Sequence, residues 1–238
     1  MSDISHLQFG LTSTFPCSYL EEQEEKLVML ISPEKYAKDY YPLLMSIGFR
    51  RSGEDVYRPY CINCQACQSL RIPCASFVLS KSQKRLWNRN KHFTIQKSKT
   101  AKESYYPLYE RYINEIHSDG LMYPANQEQF DSFITSTWGN ISFIEIYDKD
   151  ILISVSITDE LVTSTSSAWS AFYCFYSPDY LQHSLGKYAV LQQLRLASDR
   201  GVEFLYLGYY IQQCQKMNYK NQFNPHQRFI NQEWLSFP

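Results

Sequence analysis

Three groups of residues have the types and spacing to do chemistry. The densest is Cys61-x2-Cys64-x2-Cys67, with Cys17 far upstream and Cys74 just beyond. Thiols three positions apart can converge on one metal across a tight turn, and a closed zinc or iron–sulfur site wants four ligands. Cys17, Cys61, Cys64 and Cys67 could supply them, but the cluster holds no histidine and no second CxxC pair. Three readings stay open: a metal or cluster site, reduced packed thiols, or a redox-active pair. The second group is Lys81-Ser-Gln-Lys84-Arg85-Leu-Trp-Asn-Arg89-Asn90. On a helix Arg85 and Arg89 share a face with Lys81 one turn earlier, a spacing that can track phosphates. The third is Phe204–Pro225, where a short apolar run leads through Gly208 into a segment with two lysines, tyrosines and amides. It contains no self-contained nucleophile with its base, and it reads as a buried strand delivering a wet, basic, aromatic surface to a cleft.

Charge along the chain is blocked rather than mixed. Residues 56–102 carry ten Lys or Arg and no Asp or Glu, whereas residues 103–165 carry eleven acids against two bases. The net charge of -1 conceals this segregation. It points to a partner of opposite sign or to contact between the blocks in the fold; a nucleic acid is the obvious candidate for the basic block, though the near-neutral total argues against a dedicated duplex-DNA binder. An apolar fraction of 44% over 238 residues is enough for a proper core, as one large domain or two small ones. The opening residues lack a signal-peptide pattern and no apolar run reaches membrane-spanning length. With seven cysteines, an odd number, a cytoplasmic protein with free thiols is expected.

The elements that must position these groups follow from periodicity. A strand over 26–31 precedes a helix that opens at Ser32-Pro33, buries Tyr36, Tyr40, Leu43 and Leu44, and stops before Gly48. A strand is expected over 71–79, a helix capped by Ser80 over 81–90, and a short strand over 93–96. Helices over 103–117 and from Asn126 to Ile134 lead to an antiparallel meander at 141–147, 151–157 and 169–176. A long helix from Ser184 to Arg200 and a strand at 204–207 imply a crossover. The expectation is α+β: a mixed, mostly antiparallel sheet resembling the N-acetyltransferase (GNAT-like) fold, preceded by a smaller cysteine-containing N-terminal α/β region. The division falls at residues 1–102 and 103–238. An acyl-CoA enzyme would want a glycine-rich pyrophosphate turn, but the turn 182–188 has the single glycine Gly186 and a bulky Tyr188.

The ordered motifs resemble the arginyl/leucyl-tRNA–protein transferase family over essentially the whole chain. They include Pro16-Cys17-Ser18-Tyr19-Leu20, Tyr57-Arg58-Pro59-Tyr-Cys61-x2-Cys64-x2-Cys67-x3-Arg71 and His117-x-Asp119-Gly120-x-Met122. Ser170-Ala171-x-Tyr173-x-Phe175-Tyr176 and Tyr206-Leu-Gly208-Tyr209-x-Ile211-x2-Cys214-x-Lys216-Met217-x-Tyr219-Lys220 complete the set. Departures are Ile116 and His183 in place of arginine, Lys187 in place of threonine, and Ile62 in place of proline.

The resemblance to the bacterial leucyl-transferring branch implies movement of leucine from Leu-tRNA onto proteins beginning with Asp or Glu, marking them for degradation by the N-end rule pathway. The chemistry is aminolysis of an aminoacyl ester, needing no cofactor and no covalent enzyme intermediate. An acidic first residue needs a cation, from Arg58, Arg71, Lys216 or Lys220. Tyr173, Tyr209 and Tyr219, with Lys216, are candidates to orient the amine, donate to the oxyanion or stack on the terminal adenosine. Lys81, Lys84, Arg85, Arg89, His183 and Lys187 are candidates for the tRNA surface. In eukaryotic relatives the N-terminal cysteines are associated with a metal or iron–sulfur site, with Cys17 and Cys64 as best counterparts. A monomer with no DNA and no membrane partner is expected. Arginine as donor, an acyl-CoA N-acetyltransferase and a non-catalytic RNA-binding protein remain as alternatives.

Overall fold

The computed structural model describes residues 5–163 and 166–238. Strands β1 (Phe9–Leu11), β2 (Phe15–Pro16), β3 (Glu24–Glu25) and β4 (Leu27–Leu30) precede helix α1 (Glu34–Ser46). Strands β5 (Arg50–Ser52), β6 (Asp55–Pro59) and β7 (Gln68–Pro73), helix α2 (Lys81–Asn90) and strand β8 (Thr94–Ser98) follow. Helices α3 (Tyr105–Ile116) and α4 (Gln127–Ile134) lead into the meander β9 (Ile141–Asp148), β10 (Ile151–Val162) and β11 (Ser167–Tyr176). Helix α5 (Leu185–Ser198), strand β12 (Phe204–Tyr210), helix α6 (Gln215–Asn218) and the hairpin β13 (His226–Ile230) and β14 (Glu233–Phe237) close the chain.

Among the described residues, eight strands form one sheet in the order β14-β13-β7-β12-β11-β10-β9-β8. The β11–β12 pair is parallel and the other pairings are antiparallel, as the α5 crossover requires. The fold is therefore α+β with a mixed, mostly antiparallel sheet. A smaller sheet, β1-β4-β6-β5, packs with α1 at the N-terminal end. Strands β7 and β8 precede residue 102 yet belong to the large sheet.

Strand alternation sorts the core. Ile144, Ile146, Leu205 and Leu207 face α5 and α2, whereas Phe143 faces the tyrosine-rich helix α3. Helix α2 stands where a capping box puts it, with the Ser80 hydroxyl accepting from the Gln83 amide and the Gln83 side chain accepting from the Ser80 N–H. Asn126 likewise accepts from the Gln129 amide at the start of α4. The small sheet is fastened to the large one by a buried fork: Arg51 Nη2 and Nε donate to Asp159 Oδ1 at 2.6 Å and Oδ2 at 3.1 Å. Tyr41 Oη donates to the same carboxylate at 3.5 Å.

Three details differ from the sequence expectation. Helix α1 buries Ala37, Tyr41, Leu44 and Met45, a face rotated from the expected one, leaving Tyr36 and Tyr40 half-buried against His6. The strand expected over 71–79 ends at Pro73, where the chain enters a short 3-10 turn and the Cys74 amide turns to the Glu203 carbonyl. The C-terminal hairpin was not expected. Its turn is Asn231-Gln232, both at positive φ, a conformation usually marked by glycine.

Candidate active site

The parallel ladder between β11 and β12 is short. It pairs Ala168, Trp169 and Ser170 with Phe204, Leu205 and Tyr206, and beyond these residues the two strands part. A cavity of about 1090 Å³ opens where they separate. Residues 171–174 and Tyr176 of β11 form one wall, Leu207 and the segment 213–217 with Tyr219 and Lys220 another. The end of α3 with His117 and Met122, and the start of α5 with Ser184, Gly186 and Lys187, complete it.

A bulge shapes the β12 wall. Opposite β7, Tyr206 pairs with Arg71 but Gly208 pairs with Leu70, so Leu207 is the extra residue. Gly208 takes φ of 78°, which favours glycine, and the shift turns the Tyr209 carbonyl onto Lys220. It also resets the alternation. Tyr209 leaves the cavity wall and joins Tyr206 on the opposite face, both rings lying beside the Arg50 guanidinium. The Tyr209 hydroxyl donates to the Gly48 carbonyl at 2.9 Å, and burial pushes its pKa well up.

The electrostatics of the cavity are one-sided. Its lining contains His117, Lys187, Lys216 and Lys220 and, among the described residues, no Asp or Glu. Lys216 is exposed and pairs with Asp119 at 2.7 Å across the rim, which lowers the Asp119 pKa. Lys187 is exposed and donates to Gln222 Oε1 at 2.9 Å. Lys220 is buried, donating to the Tyr209 carbonyl at 2.6 Å, and burial followed by Arg50 brings its pKa down to about 7. Tyr219 is pushed up to about 12 by burial. Tyr173 is raised for the same reason, with its hydroxyl 3.6 Å from Met122 Sδ. His117 is lowered by burial and then by Lys216, and its Nε2 pairs with the Tyr112 hydroxyl at 2.9 Å.

Of the residues expected to meet an acidic peptide or do chemistry, Tyr173, Lys216, Tyr219 and Lys220 come together in this cavity. Arg58, Arg71 and Tyr209 do not line it. Arg58 donates to the Ile47 carbonyl at 2.9 Å and packs on Phe49. Arg71 bonds Gln227 and the Tyr206 hydroxyl, and its guanidinium stacks 3.8 Å from the Phe204 ring centre and 4.1 Å from that of Trp234. Both guanidiniums bind the scaffold together. His117, Met122, Tyr112 and Tyr176 line the cavity without having been singled out for a role. The signal for the first two was present, because His117 to Met122 follows directly on an amphipathic helix.

Helix α2 turns Lys81, Lys84, Arg85 and Arg89 to solvent, and none has an acidic partner among the described residues. Gln222 links this face to the cavity rim: its carbonyl accepts from Gln83 on α2 while its side chain accepts from Lys187. His183 has a different place from the one expected of a phosphate contact. Its Nδ1 pairs with Asn90 Oδ1 at 2.8 Å and its carbonyl accepts from Asn90 Nδ2, clasping the end of α2. Burial, then Arg89 and His92, lower its pKa, disfavouring the charged ring.

Cys17, Cys61 and Cys64 lie near enough to Cys67 to raise its pKa, which burial chiefly pushes up to about 12. Cys61 Sγ points at the Lys26 carbonyl at 3.8 Å. Among the described residues no three His, Cys, Asp or Glu side chains form a set that could hold a metal ion. The thiols are free and, as arranged here, do not fit a metal or cluster. No helix among the described residues is long and apolar enough to cross a membrane.

The cavity opens between splayed parallel strands beside a basic helix, and among the described residues no carboxylate lines it. Residues 15–85 match the model for the N terminus, and 104–230 that for the C terminus, of arginine-tRNA-protein transferase. The chain belongs to the arginine-tRNA-protein transferase family. It is 46% identical to an aspartate/glutamate leucyltransferase of Pseudoalteromonas atlantica over 96% of both chains. It is 44% identical to one of Vibrio cholerae over 98% of both. Among solved structures, L-PGS from Bacillus licheniformis matches with TM-score 0.41 at 11% identity, over 73% of this chain and 50% of its own.

Proposed function

We infer that this protein transfers leucine from Leu-tRNA to the N-terminal α-amine of proteins beginning with Asp or Glu, marking them for degradation by the N-end rule pathway. The near-full-length similarity to aspartate/glutamate leucyltransferases supports the reaction. The observation that carries the choice of substrates is the carboxylate-free, lysine-bearing lining. Apolar side chains such as Met122, Leu207 and Val190 suit a leucyl group, whereas a guanidinium donor would find no counter-ion. The exposed Lys187 and Lys216 attract the phosphates of a tRNA end, and Lys216 an acidic first residue.

The roles follow the placement of the residues. Lys81, Lys84, Arg85 and Arg89 hold the acceptor stem by its phosphates, and Lys187 continues that contact at the rim. The amino end of α5, beside Lys187, offers backbone N–H groups to the terminal phosphate. Tyr219 and Tyr173, kept protonated by burial, donate to the developing oxyanion or face the terminal adenosine. Lys216 and Lys220 meet the acidic side chain. Strands that part after a short parallel ladder, with a helix starting at the opening, support the GNAT-like comparison, with aminoacyl-tRNA in place of acyl-CoA. A tRNA donor suits the cytoplasm.

The test is direct. Purified protein is incubated with Leu-tRNA or Arg-tRNA and peptides beginning Asp, Glu, Asn or Ala, and peptide mass is followed. A gain of one leucyl residue is expected on the Asp and Glu peptides alone. No gain on either, or a gain from Arg-tRNA instead, would refute the reading.

A further inference from the structure

Lys220 differs from the other two lysines of the cavity in what surrounds it. It is 7% exposed, and its hydrogen-bond partners are two acceptors: the Tyr209 carbonyl at 2.6 Å and Met217 Sδ at 3.1 Å. No carboxylate is among them, and among the described residues none lines the cavity. An ammonium has three N–H donors, and with two of them on these acceptors the third would face the cavity, where no protein acceptor meets it among the described residues. A neutral amine has two donors and a lone pair. The two acceptors match it, and the lone pair is the valence left over for a ligand.

The groups around Lys220 reinforce this. Arg50 on β5 opposes a second positive charge, while the Cys67 and Cys214 thiols favour one weakly; burial dominates. The Arg50 guanidinium is itself buried, with Nε and Nη2 unpartnered, so no anion is already present to neutralise the pair. The Leu207 bulge and Gly208 hold the Tyr209 carbonyl in place, and a Cβ at position 208 would lie 3.8 Å from Lys220 Nζ. The site is built, and it is built without a counter-ion.

Resting on the transferase reading above, we propose that Lys220 accepts the proton of the acceptor's α-ammonium, and that the acceptor's own Asp or Glu side chain then pairs with the ammonium so formed. An N–H bond of the α-ammonium breaks and its proton moves to the Lys220 lone pair. The freed amine lone pair forms the C–N bond to the leucyl ester carbon. The tetrahedral intermediate loses a proton from its nitrogen and breaks its C–O bond, and the departing 3'-oxygen of adenosine leaves protonated. Lys220 returns its proton to solvent when the product leaves. Acidic-residue specificity and nucleophile activation become one event: an Asn or Ala acceptor leaves the new ammonium buried and unpaired.

The experiment compares wild type with K220M across pH, using two Asp-type acceptors. One has an ordinary α-amine; in the other an aminooxy group replaces it and is already neutral at pH 7. Wild type is expected to use both, with the ordinary acceptor's rate falling as pH drops below about 7. K220M is expected to lose about 10²–10⁴-fold in kcat on the ordinary acceptor. It should lose far less on the aminooxy acceptor, with the KM for Leu-tRNA unchanged. Equal loss on both acceptors would overturn the proton-transfer role in favour of a structural one, with melting temperature and tRNA binding checking that K220M is folded. An unchanged rate and pH profile in K220M would also overturn it. Wild type inactive on both acceptors would instead refute the transferase reading.

Discussion

Adjacent residues of β5 lead to two buried cationic regions that the molecule treats oppositely. Arg51 is matched in full, its guanidinium forked onto Asp159 with the side chains 0% and 2% exposed. Arg50, one residue earlier and 5% exposed, donates from Nη1 to the Phe49 and Met45 carbonyls and has two unpartnered nitrogens. It lies near Lys220, which has no acid either. A buried cation without an anion is costly, so the two regions differ in kind: the matched one joins two sheets, and the unmatched one surrounds the lysine for which we propose proton transfer.

The comparison breaks first, and hardest, at Asp159. Removing its carboxylate leaves Arg51 buried and alone, and Asp159→Ala is expected to lose about 3–5 kcal/mol of stability in urea melts. Replacing both partners, Arg51→Met with Asp159→Leu, should recover most of that loss, because an apolar pair of similar volume has no charge to desolvate. Arg50→Met is expected to behave differently. It gives up two carbonyl hydrogen bonds but removes two unpaired buried donors, so its stability should stay within about 1 kcal/mol of wild type. Its signature belongs in the pH profile. Without Arg50's repulsion Lys220 holds its proton more tightly, and the acid limb of transfer should move to higher pH. A large loss of stability with no movement of that limb would erase the distinction between the two arginines.

The periodic elements were legible in the sequence, and the connections between them explain what was not. The meander, α5 and the capped basic helix all announce themselves by spacing. Residues of the Lys216–Lys220 segment arrive in the cavity together because they are close in sequence. Tyr209 belongs to the same stretch yet faces away, since a one-residue bulge at Leu207 reverses the alternation, and Gly208 beside it is its one mark in the sequence. Arg58 and Arg71 look like free cations until Phe49 and, from far along the chain, Phe204 and Trp234 are seen packed on them. The cysteines attract the eye through density alone. They do gather near Cys67, yet no three of them form a set that could hold a metal ion, and the residues that line the cavity are spread from Ser18 to Lys220.

The smallest effects on stability belong to cations that are unpaired but exposed. Water solvates the guanidiniums of Arg85 and Arg89, so the absence of an acidic partner carries none of the penalty that applies at Arg50. Arg85→Ala with Arg89→Ala should therefore melt within about 0.5 kcal/mol of wild type. The change should appear against salt. Each phosphate contact releases condensed counterions, and losing two should flatten the slope of log affinity for tRNA against log salt by about 1.4–1.8. The pH limb assigned to Lys220 should not move, because the two arginines lie on the outer face of α2, away from the cavity lining. An unchanged salt slope would take the acceptor stem off this helix and leave Lys187 and the start of α5 as its contact. A displaced pH limb would mean that the charge of α2 reaches Lys220, and that burial does not isolate the unmatched amine.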